Sequence, residues 1–323
     1  MIFFPILTIG QTAGSSTYHA LLFSESPRAI VLNNPMGIID DDVNLGVYNP
    51  SLLNNKMHRS LSLNYVNYFS NINIASASFS FPIKNFGTAV LSTKSLNYGK
   101  FIRTDFSGQE LGYFNANEQV LIFGIGKKVF SKFNFGTSIK LFLSNLENFS
   151  SFGVVSDLSI NYFNQNKNLG ISFLGRNIGR QISYYHEKSE RMPFELIMGF
   201  SKKLAHLPLT FSINYNNLEK WDFLNGYNIM NENENLTNLN NNFWKTFFSH
   251  ISSSAELKIG KVLDLRCGYN SRIRYELTSP ELLGMVGFSW GLGLNFSKFK
   301  INYGRSTFHL AGSPNYFSLQ INI

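Results

Sequence analysis

Residues 286–296 read VGFSWGLGLNF, and large apolar side chains occupy every second position of this stretch. Glycine, serine and asparagine fill the positions between them. Successive side chains of a β-strand point to opposite faces, so a period of two predicts a strand with one apolar face and one small or polar face. The stretch therefore predicts a strand that meets an apolar medium on one side only.

The same alternation recurs along the chain from residue 60 to the C-terminus. Most of the segments are near the ~9–11 residues that a tilted strand needs to cross a bilayer, although 73–82 and 118–129 alternate poorly. The alternation predicts fourteen strands, at residues 60–69, 73–82, 86–96, 118–129, 134–144, 154–163, 168–178, 194–202, 207–217, 250–259, 263–274, 285–296, 299–305 and 314–323.

The links between these segments fall into two length classes. Tight links alternate with longer ones, and only the short link 70–72 departs from this order. The tight links are 83–85, 130–133, 164–167, 203–206, 260–262 and 297–298, and the longer ones are 97–117, 145–153, 179–193, 218–249, 275–284 and 306–313. Tight periplasmic turns and larger surface loops are typical of outer-membrane barrels.

Alternation and link lengths together predict an all-β fold, a transmembrane antiparallel β-barrel of about 14 strands. A sheet in lipid must close, because no water is available to unpaired backbone N–H and C=O groups. An even strand number puts both termini on the tight-turn side. We therefore expect a protein of the bacterial outer membrane, in contact with its lipid, with extracellular long loops and periplasmic termini. The alternative is a soluble all-β binding protein, which also alternates but has no reason to separate link lengths.

The composition excludes several other classes of protein. The 323 residues carry a net charge of +8, but only 15% of them are charged and 15% are aromatic, which is unlike a disordered chain or a coiled coil. The basic residues are scattered rather than gathered in a stripe, so we expect no nucleic-acid partner. The single cysteine, Cys267, excludes an internal disulfide framework and a multi-cysteine zinc site.

The chain divides into three parts by sequence. Residues 1–10 resemble the end of a truncated signal peptide, and 59–323 form the predicted barrel. Residues 11–58 lack the alternation, and we expect them to form a hatch that plugs the lumen, because such a barrel is too wide for side chains to fill. Charged residues of both signs have lumen-facing parity and are expected to pair there: Lys140, Asp157, Glu195, Glu256, Lys258, Asp264, Arg266 and Lys300.

The residues that could carry chemistry form no catalytic or metal-binding motif. The run Asp40–Asp42 lacks the spaced ligands of a calcium loop, and we interpret it as a turn or a helix N-cap. The sequence has no G-x-S-x-G, H-E-x-x-H or C-x-x-C motif, and Cys267 has lipid-facing parity. We therefore predict a protein that is not an enzyme and that uses neither a metal nor a cofactor.

Several stretches resemble the PorQ family of the type IX secretion system, within the wider group of FadL-like outer-membrane barrels. They include SPRA at 26–29, DDDVNL at 40–45, NPSLL at 49–53, NYVNYF at 64–69, NYGKF at 97–101, RNIGRQ at 176–181 and LEKWD at 218–222. The positions that carry the resemblance are Arg28, Asp41, Asn49, Pro50 and Ser51 in the hatch, and Arg176, Asn177, Gly179 and Arg180 in the barrel. The resemblance covers the chain from about residue 17 to its end.

The resemblance implies a location and partners rather than a reaction. PorQ-like proteins anchor a PorZ-like surface protein, next to the PorU and PorV components of a cargo attachment complex. The loops 97–117, 179–193 and 218–249 are then the candidate docking sites. Their candidate anchor residues are Tyr184, Tyr185, Trp221, Phe243 and Trp244. The alternative that the wider group implies is a FadL-type transporter of small hydrophobic ligands.

Overall fold

The computed structural model describes residues 18–221, 243–277, 284–308 and 312–323. The predicted signal segment 1–10 and the first residues of the predicted hatch lie outside the described residues, as does most of the asparagine-rich run 226–244.

Fourteen antiparallel strands form one closed barrel, which confirms the predicted fold class. Each strand pairs with its neighbours in the chain, and β1 closes the sheet against β14 in continuous register from Ser60↔Asn322 to Asn67↔Asn315. The strands are β1 (Ser60–Asn67), β2 (Asn73–Ile83), β3 (Gly87–Thr104), β4 (Glu110–Phe130), β5 (Phe133–Leu146), β6 (Phe149–Asn164), β7 (Leu169–Ser183), β8 (Glu195–Lys203), β9 (Leu209–Tyr215), β10 (Ile251–Ile259), β11 (Leu263–Asn270), β12 (Phe288–Phe296), β13 (Phe299–Ser306) and β14 (Asn315–Asn322).

The alternation in sequence corresponds to the two faces of the barrel wall. In β12 the rings of Phe288 and Trp290 are exposed on the outside, whereas Ser289 faces the lumen and is buried. Val286 is an exception to the predicted pattern, because it precedes the strand and is 0% exposed. Gly287 follows it with φ of +86°, a conformation that breaks the alternation before β12 begins.

The prediction of long links was wrong at 97–117 and 145–153. These residues extend the strands β3–β4 and β5–β6, which leaves the short links 105–109 and 147–148. The first four residues of β4 are exposed on both faces, so this part of the hairpin meets neither lipid on one side nor a plug on the other. Its backbone pairing continues, but without two different environments its sequence has no reason to alternate.

The barrel has two distinct ends. We call the end with the links 84–86, 131–132, 165–168, 204–208, 260–262 and 297–298 the turn end, and it also holds the C-terminal residue Ile323. The opposite end, which we call the loop end, carries the longer links 184–194, 216–250 and 271–287. The described residues of these loops include the helices α4 (Phe243–Ser249) and α5 (Ser271–Leu277).

Residues 18–58 fold inside the barrel, and we call them the plug. The plug consists of α1 (His19–Leu22), α2 (Pro27–Val31), α3 (Val43–Tyr48) and two 3-10 turns, Pro50–Leu52 and Asn55–Met57. Side chains cap the two longer helices, because Ser26 Oγ accepts from Ala29 N and Asp42 Oδ1 accepts from Asn44 N. Among the described residues no helix has the length and apolar character needed to cross a bilayer.

Candidate functional site

The plug is joined to the wall by a buried network of charges around Arg28. Its Nε and Nη2 donate to the two carboxylate oxygens of Glu256 on β10, at 2.9 and 2.8 Å. The same guanidinium reaches Asp40 at 2.5 Å and Asp42 at 3.3 Å within the plug. Burial acts to raise the pKa of Asp40, but the adjacent Arg28 outweighs it and holds that pKa below its ordinary value.

Wall residues complete this network from the barrel side. Arg266 donates from Nε to Glu256 at 2.8 Å and from Nη2 to Asp264 at 3.0 Å, so Glu256 is shared between two guanidinium groups. Lys300 pairs with Asp41 of the plug. Glu256, Asp264, Arg266 and Lys300 are therefore paired as expected, and the network ties the plug to three barrel strands, β10, β11 and β13.

The stretch Asn49–Ser51 fixes the plug on another part of the wall. Asn49 Oδ1 accepts from Ser51 N and Oγ, and Ser51 N also donates to Ser159 Oγ on β6 at 2.9 Å. The Pro50 backbone lies so close to β5 that a Cβ at Gly136 would be 2.1 Å from the Pro50 carbonyl carbon. Only glycine at position 136 allows this approach, so Gly136 of β5 is in direct contact with the Asn49–Ser51 stretch of the plug.

Further bonds tie the start of the plug to the loop-end half of the wall. Ala20 N donates to Glu118 at 2.8 Å, and Lys94 pairs with Glu25 at 2.8 Å. A large apolar cluster that includes Tyr18 packs around these contacts. The described part of the plug is therefore held from the turn end to the loop end.

Arg176 and Asn177 lie at a β-bulge in the wall. The β6–β7 register shifts between Ser156 and Leu158, and Asn177 adopts φ of +57° opposite Asp157. Asp157 accepts from Asn177 N at 2.9 Å and pairs with Lys140 at 2.6 Å. Arg176 faces the lumen by the same alternation as Ser172 and Leu174, and the bulge shifts the parity of the residues after it, so that Gln181 faces inward.

Arg176 joins the wall to the plug. It donates to Glu195 on β8 at 3.0 Å and to the Leu21 carbonyl at 3.0 Å, and its guanidinium lies 4.3 Å from the ring centroid of Tyr48. Burial raises the pKa of Tyr48 to about 12, so its phenol stays protonated at neutral pH. Gly179 and Arg180, the other two positions of this motif, lie further along β7 on exposed backbone.

The link 216–250 gathers aromatic rings at the loop end. Trp221 lies 5.3 Å from Phe243 and 5.6 Å from His250, measured between ring centroids. Phe243 and Trp244 are in contact at 5.5 Å, and Phe248 extends the group at 6.2 Å from Trp244. We call the exposed set Trp221, Phe243, Trp244 and Phe248 the aromatic patch.

The two tyrosines predicted as anchors lie elsewhere. Tyr184 is exposed at the start of the link 184–194, whereas Tyr185 is half-buried and stacks on Tyr18 of the plug at 6.0 Å. The five rings were predicted as candidate anchors on two loops, and the structure brings Trp221, Phe243 and Trp244 into one group. Sequence reasoning missed Phe248 and His250, although the four-residue spacing from Trp244 to Phe248 is a helical signal.

Cavities remain between the plug and the wall. Two of them, with volumes of about 310 and 240 Å³, lie at the turn end and share Lys258 and Asp40 in their charged linings. Another of about 150 Å³ lies at the loop end and is lined by polar groups. Sequence analysis identified several of the charged residues but none of these volumes, because the lining comes from segments far apart in the chain.

Neither a sequence-family model nor a curated protein sequence matches this chain. Among solved structures, a Pseudomonas aeruginosa FadL homologue is similar over 94% of this chain and 99% of its own, with a TM-score of 0.52 and 9% identity. The monoaromatic hydrocarbon channel CymD covers 99% and 97% of the two chains at a TM-score of 0.44 and 12% identity, a score too low to support an argument. The first likeness shows the FadL-like barrel fold.

Proposed function

We propose that this protein is a non-enzymatic outer-membrane barrel that holds a surface protein at its loop end, with its tight turns and termini in the periplasm. The resemblance to PorQ makes a PorZ-like subunit of a type IX attachment complex the proposed partner. Outer-membrane insertion is supported by the closed sheet and its apolar outer face, because only helices and closed barrels satisfy their backbone in lipid.

The observation that carries the proposal is the aromatic patch. Phe243 and Trp244 are 57% and 63% exposed, and they lie on helix α4 in the link between β9 and β10, beyond the ends of these strands. Large rings grouped on a surface are typical anchors of protein interfaces, where they bury much area at a low cost in side-chain entropy.

The structure of the plug favours a role of the protein as an anchor over a role as a transport channel. Its buried ion pairs and its contact with Gly136 hold the described part of it against the wall across the lumen. A FadL-type transporter needs an apolar route, whereas the larger turn-end cavity is lined mainly by lysines, arginines and carboxylates, which disfavour a hydrophobic ligand. The smaller turn-end cavity combines such charges with Ile38, Ile39 and Phe163.

The test is recovery of a partner from outer membranes in mild detergent. We expect a large surface protein to co-purify, and Trp244→Ala to weaken its binding roughly 30-fold, the effect of losing a hot spot of about 2 kcal/mol. Phe130→Ala is the matched control, since Phe130 is also 63% exposed but lies at the turn end. Equal recovery with both variants would contradict the docking site, and a lone barrel that carries bound lipid would favour transport.

A further inference from the structure

The turn end of the barrel carries a ring of lysines. Five of its six tight links contain one lysine each, and the sixth, 204–208, directly follows Lys203. None of the six links contains an aspartate or a glutamate. We call the five lysines within the links the lysine rim, and all of them are exposed: Lys84, Lys132, Lys167, Lys261 and Lys298.

The chain does not neutralise the charge of the lysine rim. Among the ion pairs of the described residues, none includes a rim lysine. Lys300, which does pair with Asp41, belongs to the lumen side of the wall. The long links of the loop end mix both signs, as Glu187 and Lys188 do in 184–194. The excess of positive charge is therefore a feature of the tight links.

Exposed apolar side chains lie next to the rim lysines. Lys298 lies between Phe296 and Phe299, and Lys261 directly precedes Val262. These three apolar side chains are exposed on the outer face. Aromatic residues at the strand ends of an outer-membrane barrel mark the interfaces of the membrane. The lysine rim therefore lies at the depth at which lipid headgroups begin, where a lysine can extend its ammonium group towards them.

The distribution of the lysine rim fits many small ligands better than one large partner. Neighbouring strands are about 4.8 Å apart, so tight links that are two strands apart are separated by about 10 Å along the rim. The lysines are spread around the circumference, one to a link, rather than gathered on one side. A docked acidic protein would contact only part of such a ring, whereas separate lipid headgroups can contact every lysine.

The link 84–86 shows which chemical group a headgroup must offer. Next to it, Lys127 at the end of β4 lies with Nζ 6.0 Å from the ring centroid of Phe86, and it donates to the Asn85 carbonyl at 2.8 Å. This carbonyl carries no charge, and an ammonium group has three N–H donors. A negatively charged phosphate oxygen fits the remaining donors and the uncompensated charge.

We propose that the lysine rim binds the headgroups of negatively charged phospholipids in the periplasmic leaflet of the outer membrane. A basic residue near such a surface is attracted to it, and attraction at each link holds the turn end at one depth. The proposal rests on the membrane insertion and orientation given under the proposed function. It does not depend on a protein partner at the loop end.

The test is fluorescence quenching by brominated lipids, with the full-length protein in vesicles of equal amounts of phosphatidylcholine and phosphatidylglycerol. Phe86→Trp is the reporter, and Trp221→Phe, Trp244→Phe and Trp290→Phe remove the native indoles. We expect brominated phosphatidylglycerol to associate with the reporter site roughly fivefold more strongly than brominated phosphatidylcholine, the effect of one lysine near an anionic surface.

Variants place the preference at the lysines. Lys84→Gln together with Lys127→Gln should lower the ratio to about one, as should about 1 M salt, which shortens the screening length to about 3 Å. Lys188→Gln together with Lys220→Gln is the matched control, since it removes two lysines of the loop end and should leave the ratio unchanged.

The outcomes separate this proposal from the proposed function. Equal association of both lipids with the parent reporter would overturn the lipid site alone, as would a preference that the turn-end variant retains. Equal association together with loss of a periplasmic protein from membranes of that variant would assign the lysine rim to an acidic protein instead. Absence of quenching by either lipid would mean that the barrel does not insert, which would overturn the proposed function as well.

Discussion

Replacement of Glu256 by glutamine is expected to loosen the plug and to leave the barrel intact. Glu256 is 1% exposed and accepts from Arg28 at 2.9 and 2.8 Å and from Arg266 at 2.8 Å. The amide keeps the shape of the side chain but removes the charge and points N–H groups at a guanidinium. Backbone pairing in β10 is untouched, so the barrel wall should form as before.

The magnitude follows from the partners that remain. Removal of one partner from a buried ion pair costs about 3–5 kcal/mol. Arg28 keeps Asp40 and Asp42, and Arg266 keeps Asp264, so the low end of that range, about 3 kcal/mol, applies here. With a factor of ten for each ~1.4 kcal/mol, the population of released plug should rise roughly 100-fold.

The assay is the rate of maleimide labelling at a cysteine placed inside the plug. Ala29→Cys in α2 is suitable because Ala29 is 1% exposed, and Cys267→Ser removes the native thiol, which is exposed on the outer face. In this background Glu256→Gln should label roughly 100-fold faster than the parent.

The matched control is Glu147→Gln. Its pair with Arg103 has a length of 2.5 Å but is open to solvent, with the two side chains 31% and 42% exposed. An exposed pair contributes at most about 1 kcal/mol, and this one lies far from the plug, so labelling should not change. Equal labelling rates in Glu256→Gln and Glu147→Gln would refute the view that the buried network holds the plug.

Two further predictions concern the same plug. Gly136→Ala should lower the melting temperature of the folded barrel, because its Cβ would lie 2.1 Å from the Pro50 backbone and overpacking costs about 1–3 kcal/mol. Gly175→Ala is the control and should be tolerated, because the atom nearest to its Cβ would be 3.4 Å away. Acid should raise the labelling rate at Ala29→Cys, measured relative to the rate at the exposed Cys267 of the parent chain at the same pH, only below about pH 4. Asp40 has a pKa below its ordinary 3.8, so its stabilising contribution is complete above that pH and is lost as the pH falls through the lowered value. Asp40→Asn should weaken this dependence, since the carboxylate of Glu256 still holds Arg28, and an equal pH profile in that variant would contradict the role of Asp40.

The strands could be predicted because lipid and plug impose different environments on the two faces of the wall. Each of the fourteen predicted segments overlaps a strand, including the two with weak alternation, 73–82 and 118–129. The prediction failed where the β3–β4 hairpin leaves both environments. There the backbone continues to pair, but large apolar side chains no longer alternate with small or polar ones.

The candidate sites could be predicted only in part. Sequence reasoning gave Arg28 and Glu256 their places in the plug and in the lumen, but their bond joins residues 228 positions apart. Likewise, nothing near Gly136 in the chain indicates that the Pro50 backbone will press against it. The bulge at Asn177 has a local signal, an asparagine that tolerates positive φ, but that signal does not show that the neighbouring Arg176 will reach the Leu21 carbonyl of the plug.

The sequence by itself determined the strands, the closure of the barrel and the places of the tight turns, because these depend on a repeating pattern that follows from a wall with two different faces. Only the tertiary structure decided how Arg28 and Arg266 share Glu256, which rings form the aromatic patch, and where the cavities between the plug and the wall lie. These features depend on distances between residues far apart in the chain. Such distances are set by barrel closure and by the fit of the plug, and not by the order of the residues around any one of them.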